Sequence, residues 1–424
     1  MIRILARQDP GFDACVRALV DRAATVPESI ETAAREVIRA VKAHGDDAIR
    51  ELTMRFEKRD LKALEIPPSE WHGAVEQIDP AVRRALEHAT ARVRAFHEHE
   101  RYASFEIKET SGVRVGLRVA PLARVGLYVP GGKARYPSSV IMSAVPARVA
   151  GVKEIFMTTP GPSLETLAAA HIAGVDRVFS VGGAQAVAAM AYGTASIPRV
   201  DKIVGPGNAY VAAAKRLVFG DVGIDSIAGP TELVVAADEM ANPRWVAADL
   251  LAQAEHDELA VPVLIAVGRK IAEGVAAALA EQLAVLPRKA IAERSLSDYG
   301  AILIVDTDEE AVELVDRLAP EHAELALVRA RELAPRVTTA GAIFIGNYTP
   351  ESVGDYLAGP SHVLPTAGSA RFASPLGVAD FVKRTSIIEY DAASLRAQSD
   401  DIQRLAEVEG LHAHARAVGV RFSS

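Results

Sequence analysis

The sequence predicts an α/β protein, and three observations carry that expectation. From Val125 onward, short β-branched or apolar runs (VGLYV, EIFMTT, RVFSV, KIVG, ELVVAAD, VPVLIAVG, AILIVD, ELALV and AIFIG) alternate with alanine-rich stretches. Such alternation marks parallel strands wrapped by helices. Before Val125 the texture is helical, with apolar residues three or four positions apart. The chain has 424 residues, 50% of them hydrophobic, and a mean hydropathy of +0.13. That is enough apolar surface for large cores in two or three domains.

Taken in order, FDACVRALVDRAA opens the chain as helix, predicting an N-terminal helical arm over 1–22 with Cys15 as a small apolar residue on it. SIETAAREVIRAVKAHGDDAIRELTMRFEK and PAVRRALEHATARVRAFHEHE predict two long helices. These fall in 23–122, expected to pack on the later strand–helix series at 232–378 and to form one α/β domain with it. The GPTE turn, Gly229 to Glu232, separates that series from an earlier one at 123–231. Two Rossmann-like parallel-sheet domains are therefore expected. After Ile388 the strand texture stops, and SLRAQSDDIQRLAEVEGLHAHARAV predicts a helical C-terminal arm over 379–424. A tail this polar is either a solvated helix or an arm docking elsewhere.

Composition narrows the function classes. One cysteine allows no intrachain disulfide and no thiolate-rich zinc site, so any metal needs N and O ligands. A net charge of −8 argues against nucleic acid as a partner, since such binders present a basic face. Apolar stretches are broken by Gly, Pro or charge well short of the ~20 residues that span a bilayer, and no signal-peptide pattern follows Met1. No membrane partner and a cytoplasmic location are expected.

Neither a GxGxxG after a strand nor a GxxxxGK[ST] occurs. Other glycine turns stand in their place. In KIVGPGNAYVAAAKRLVFG, Gly205, Pro206 and Gly207 lead to Asn208, a helix N-cap, whose neighbouring free N–H groups suit an anion. SVGGAQAVAAMAYG repeats the arrangement with Gly182, Gly183 and Gln185, and LYVPGGKARYPSSV adds Tyr128, Gly131, Gly132, Ser138 and Ser139. Any one of these is also explained as an ordinary turn. Three at the carboxyl ends of strands, where open sheets take ligands, suggest a binding site.

Polar residues with acid-base or ligand chemistry concentrate elsewhere. LLAQAEHD sets Gln253 and His256 three apart, on one helix face. Asp355 and His362 lie seven apart on a glycine-punctuated loop, and His414 follows Glu409 in EGLHAHA. Two imidazoles, a carboxylate and an amide suit zinc or a similar divalent ion. Each histidine is equally readable as a solvated or hydrogen-bonded residue; His44, His72, His88, His97, His99 and His171 are assigned so. In LAPEHAEL, Glu321 and His322 lie between a helix and a strand. Such a pair either divides proton transfer and water activation, or is a surface pair on a capping turn. His362 either joins the site or braces its loop.

Together, RVGLYVPGGKARYPSSV, GVDRVFSVGGAQAVAAMAYGT, VDKIVGPGNAYVAAAKR, VGIDSIAGPTE, AADLLAQAEHD, APEH, YTPESVGDY, HVLPT, ARFASPL, DFVKRTS and EGLHAHARAV resemble the histidinol dehydrogenase family, in its order, from about Arg35 to Arg421. The resemblance implies oxidation of L-histidinol through L-histidinal to L-histidine with two NAD and one zinc per active site, at the end of histidine biosynthesis. It implies Gln253, His256, Asp355 and His414 as zinc ligands, His322 as general base and Glu321 as activator of water. His362, Glu409 and Thr231 correspond to further substrate positions, alongside the zinc ligands and His322. Tyr128, Gln185 and Asn208 correspond to NAD contacts within 123–231. It also implies a homodimer in which each C-terminal arm, with Glu409 and His414, completes the partner's site. Thr231 stands where serine is usual, Ser143 and Ser361 where asparagine is frequent, and Ala323 where leucine is usual. These departures leave open a related enzyme for another small hydroxylated substrate, such as a sulfonated propanediol. A non-catalytic nucleotide-binding protein is the remaining class.

Overall fold

The computed structural model describes residues 2–22, 27–131 and 135–423; Gly132, expected in a ligand-facing turn, lies outside them. The strands are β1 (Arg3–Ala6), β2 (Glu65–Ile66), β3 (Phe105–Lys108), β4 (Arg114–Pro121), β5 (Arg124–Tyr128), β6 (Glu154–Thr158), β7 (Arg177–Phe179), β8 (Lys202–Val204), β9 (Gly223–Ile224), β10 (Glu232–Ala237), β11 (Val261–Val267), β12 (Ala301–Val305), β13 (His322–Ala326), β14 (Ala342–Ile345) and β15 (Val382–Glu389). The chain divides into two compact units, 1–100 with 122–381, and 101–121 with 382–424.

The larger unit contains two six-stranded sheets, ordered β2-β7-β6-β5-β8-β9 and β1-β12-β11-β10-β13-β14. Every pairing within them is parallel except β2 on β7. Because side chains alternate across a strand, β10 sends Val234 and Ala236 into one apolar cluster, and Leu233, Val235 and Ala237 into another on the opposite face. Helices cover both faces of such a sheet, so apolar runs without alternation are what its strands require. Among the described residues no helix is long and apolar enough to cross a membrane.

The N-terminal region departs from expectation. Residues 1–22 do not form a purely helical arm, because β1 extends the second sheet by pairing with β12, and the helix Phe12–Val20 packs on Asp308–Leu318. RILA is too short to show strand texture. The long helix Glu28–Glu57 packs not on the later series but on Gly183–Tyr192 and Ala209–Val218, while Pro80–His97 packs on Pro137–Ala150. Ala34, Val37, Ile38, Val41, Ile49 and Leu52 accordingly join the core of the first sheet. Spacing identified the buried stripe but not the surface that receives it.

The smaller unit is a three-stranded antiparallel sheet, β15-β4-β3, followed by the helices Ala392–Val408 and His412–Gly419. The C-terminal region is thus not wholly helical. β15 pairs with β4 over its full length, from Val382 opposite Pro121 to Glu389 opposite Arg114. Most residues of these strands are exposed, so their composition lacks the apolar signature of a buried strand. Asp391 caps the first helix by accepting the Ser394 N–H at 2.7 Å, and Ser394 Oγ donates to Ser111 O at 2.6 Å.

Candidate active site

β10 and β13 lie side by side with Leu233 opposite His322, so both begin at one sheet edge. That register brings Thr231 and Glu232 against Glu321 and His322 across ninety positions of sequence. Glu321 Oε2 accepts the Thr231 hydroxyl at 2.6 Å and the Glu232 N–H at 3.0 Å. The pair is buried, which excludes a surface capping turn. Burial pushes the Glu321 carboxyl up to about 8; the charges of Glu232 and Asp355 add to this, and the two hydrogen bonds oppose it. His322 Nδ1 lies 2.8 Å from Glu232 O. A carbonyl only accepts, so Nδ1 carries the proton and the neutral ring's Nε2 is the free base.

His322 Nε2 is 3.7 Å from Glu351 Oε1. Glu351, only 2% exposed, begins the short helix Glu351–Tyr356, one turn before Asp355. Burial and the Asp355 charge push Glu351 up to about 7. Burial also raises Asp355, but the His362 hydrogen bond and the charges of His362, His322 and His256 outweigh it, leaving the carboxyl below its ordinary value. His362 Nδ1 donates to Asp355 O at 3.1 Å, and its Nε2 lies 3.3 Å from Ser139 Oγ on Pro137–Ala150. His362 therefore braces the loop, and its Nδ1 also lies 3.5 Å from Asp355 Oδ1. Ser361 Oγ donates to Met142 O at 3.1 Å, tying the same loop to that helix.

Gln253 is fully buried on Pro243–Ala254, and among the described residues neither amide atom has a hydrogen-bond partner. A buried amide without partners calls for a ligand. His256 lies just past the helix end rather than on it, its N–H donating to Gln253 O at 3.3 Å. Desolvation lowers its pKa, and the Asp355 charge opposes this. Ligand atoms of His322, Glu351 and Asp355 lie within 4.8 Å of one another. Of the expected ligands, Asp355 belongs to that group and His256 feels its charge. Glu409 and His414 belong to the smaller unit, both exposed.

Glu351, Glu324 and Asp249 were not among the expected site residues. Spacing contained the signal: Glu324 shares a strand face with His322, Asp249 a helix face with Gln253, and Glu351 a helix face with Asp355. Ala323, one of the departures, points to the opposite face of β13 and is fully buried in a core cluster. Thr231 makes the hydrogen bond that serine would.

In the first sheet the three glycine turns follow β5, β7 and β8. Tyr128 and Gln185 are buried, and the Gly183 N–H donates to the Tyr128 hydroxyl at 3.1 Å. Gly183 has φ +64°, and a Cβ there would lie 2.7 Å from Gln185 Oε1. Asn208 caps Ala209–Val218, accepting from Tyr210 and Val211 N–H at 3.1 and 3.2 Å. The Gly183, Tyr210 and Val211 N–H groups are thus taken by side chains, where the sequence suggested N–H groups free for an anion.

The histidinol dehydrogenase family model matches residues 20–422. Histidinol dehydrogenase of Syntrophotalea carbinolica is 50% identical over 427 residues, 99% of each chain. That of Ralstonia nicotianae is 51% identical over 431 residues, covering 99% of this chain and 98% of its own. The crystal structure of histidinol dehydrogenase from Elizabethkingia anophelis superposes with a TM-score of 0.93 at 32% identity, over 99% of this chain and 98% of that one. With a buried acid–imidazole pair, a buried amide unpartnered among the described residues, and relatives matched over nearly their whole length, the chain is an oxidoreductase of the histidinol dehydrogenase family.

Proposed function

We propose that this enzyme oxidises L-histidinol to L-histidine through L-histidinal, with two NAD and one zinc, in the cytoplasm. The observation that carries this is the buried Glu321–His322 pair, which presents a free imidazole nitrogen and a carboxyl raised to about 8 at one sheet edge. When bound, NAD accepts hydride and zinc orients and polarises the substrate. Gln253, His256, Asp355 and a partner's His414 would hold the metal. Tyr128, Gln185 and Asn208, in a Rossmann-like domain over 123–231, would hold the dinucleotide.

His322 Nε2 takes the hydroxyl proton in the first oxidation, its tautomer set by Glu232 O. Glu321, once ionised, takes a proton from the water that adds to the aldehyde, and the hydrate then undergoes the second oxidation. Thr231 Oγ1 and Glu232 N–H orient the Glu321 carboxyl for that transfer. His362, braced on Asp355 O and Ser139, and Glu409 of the arm would contact the substrate. The arm is proposed to cross to a second copy. Phe105, Ile107, Ile388, Leu405 and Val408 leave the smaller unit with exposed apolar side chains that such a contact would cover.

The test is to supply L-histidinol and NAD to the zinc-loaded enzyme and count products. Two NADH and one histidine per histidinol consumed are expected, with activity lost to a chelator and restored by zinc. Turnover of a sulfonated propanediol with none of histidinol would overturn the assignment.

A further inference from the structure

Glu232 is 1% exposed, directly before the first core residue of β10, and among the described residues its carboxylate pairs with one cation. Arg22 grips it with both prongs, Nε to Oε1 at 2.6 Å and Nη2 to Oε2 at 2.7 Å. The guanidinium is itself fixed, since Nη1 donates to Leu19 O at the end of Phe12–Val20. Besides Arg22, the Glu232 carboxylate accepts the Ala367 N–H at 3.0 Å and the Glu321 N–H at 3.3 Å. The last bond has a mirror image, because the Glu232 N–H donates to Glu321 Oε2 at 3.0 Å. Each glutamate holds the other's backbone through a side-chain oxygen.

The two catalytic neighbours differ in what holds them. His322 is a strand residue paired with Leu233 and Ala342, and its ring is oriented by a backbone carbonyl. Glu321 precedes the strand: its carbonyl accepts the Ala342 N–H at 2.9 Å, but its own N–H rests on the Glu232 side chain. Stripping Arg22 from that side chain would leave a buried carboxylate with no countercharge, which such a site does not tolerate in place. We infer that Arg22, through Glu232, is the positioning residue for Glu321, and so selectively supports oxidation of the aldehyde rather than of the alcohol. The N-terminal segment thereby contributes to the site without touching substrate. This rests on the roles proposed above for Glu321 and His322.

The experiment measures histidinol oxidation to histidinal, and histidinal oxidation supplied as such, in zinc-loaded Arg22→Gln, Arg22→Lys and Glu321→Gln. Arg22→Gln is expected to lower kcat for histidinal by roughly 10- to 100-fold, the scale of a displaced catalytic group. Its kcat for histidinol should fall by less than about threefold, with KM for NAD unchanged. Arg22→Lys, keeping the charge but not the fork, should recover most of the loss. If Arg22→Gln folds poorly, Arg22→Met/Glu232→Leu removes both charges together and is expected to restore Tm while retaining the selective loss. Equal loss in both oxidations, tracking Tm, or full activity on histidinal, would overturn the inference. If Glu321→Gln is selective for histidinal and Arg22→Gln is not, only the role of Arg22 falls. If Glu321→Gln itself is unselective, the assignment of Glu321 falls and that of Arg22 with it.

Discussion

Glu321 and His322 are adjacent in sequence yet acquire opposite properties from their surroundings. Burial leaves Glu321 protonated at neutral pH, whereas the Glu232 carbonyl fixes His322 in the tautomer whose Nε2 accepts a proton. Replacing Glu321 by Gln keeps shape and hydrogen bonding but removes the base. Loss of a general base costs roughly 10²–10⁴-fold, so histidinal oxidation should fall by that order and histidinol oxidation by much less. In the parent enzyme, histidinal oxidation should climb as pH passes through about 8, where the Glu321 carboxyl ionises. Separate assays of the two oxidations across pH check both statements; equal losses would remove Glu321 from water activation. The residue types at this site were legible in sequence, and the APEH segment marked them. What was not legible was their burial, since the same letters equally describe a surface turn.

At the scale of elements, β13 and the helix Pro243–Ala254 carry a second acid pair that the proposed chemistry does not use. Glu324 and Asp249 hydrogen-bond side chain to side chain, and burial with the Asp249 charge pushes Glu324 up to about 9. Burial raises Asp249 to about 6, against the pull of the Glu324 hydrogen bond. With Asp249, Glu324 thus shares a proton in a pair lifted above the ordinary carboxylate range. Its folded pKa lies above the unfolded value of about 4.3, so the stability it contributes is present in acid and is lost as pH rises through about 9. Glu324→Gln keeps a donor for Asp249 and removes that loss. Its Tm should gain on the parent by a few degrees at pH 8 and by less at pH 5; a gain independent of pH would contradict the shared proton. The nine strands expected from apolar runs are all present, because strands buried on both faces must be apolar throughout. β3, β4 and β15 escaped that test because none of their residues is fully buried, and β15 pairs with β4 across a long stretch of sequence.

At the scale of the molecule, the proposed exchange of the arm bears on whether one chain is enough for activity. If His414 serves the partner's site, mixing two inactive variants restores function. In a heterodimer of Glu321→Gln with His414→Asn, one site carries both lesions and the other carries none. Refolding the two variants together should then recover about a quarter of parental activity, because half of randomly paired dimers are mixed and each has one sound site in two. Arms that stay with their own chain would leave every site with at least one lesion and no recovery.

By itself the sequence determined the α/β class, the glycine turns after β5, β7 and β8, and the kinds of side chain available for acid-base and ligand chemistry. These follow from local rules of periodicity, backbone freedom and donor type. Only the tertiary structure decided that Glu28–Glu57 belongs to the first sheet, that Glu351 backs His322, and that Arg22 reaches Glu232 across 210 positions. The reason is that burial and hydrogen bonding depend on which strands and helices become neighbours. Periodicity says which face of an element is buried, but the register of β10 against β13 says what that face meets.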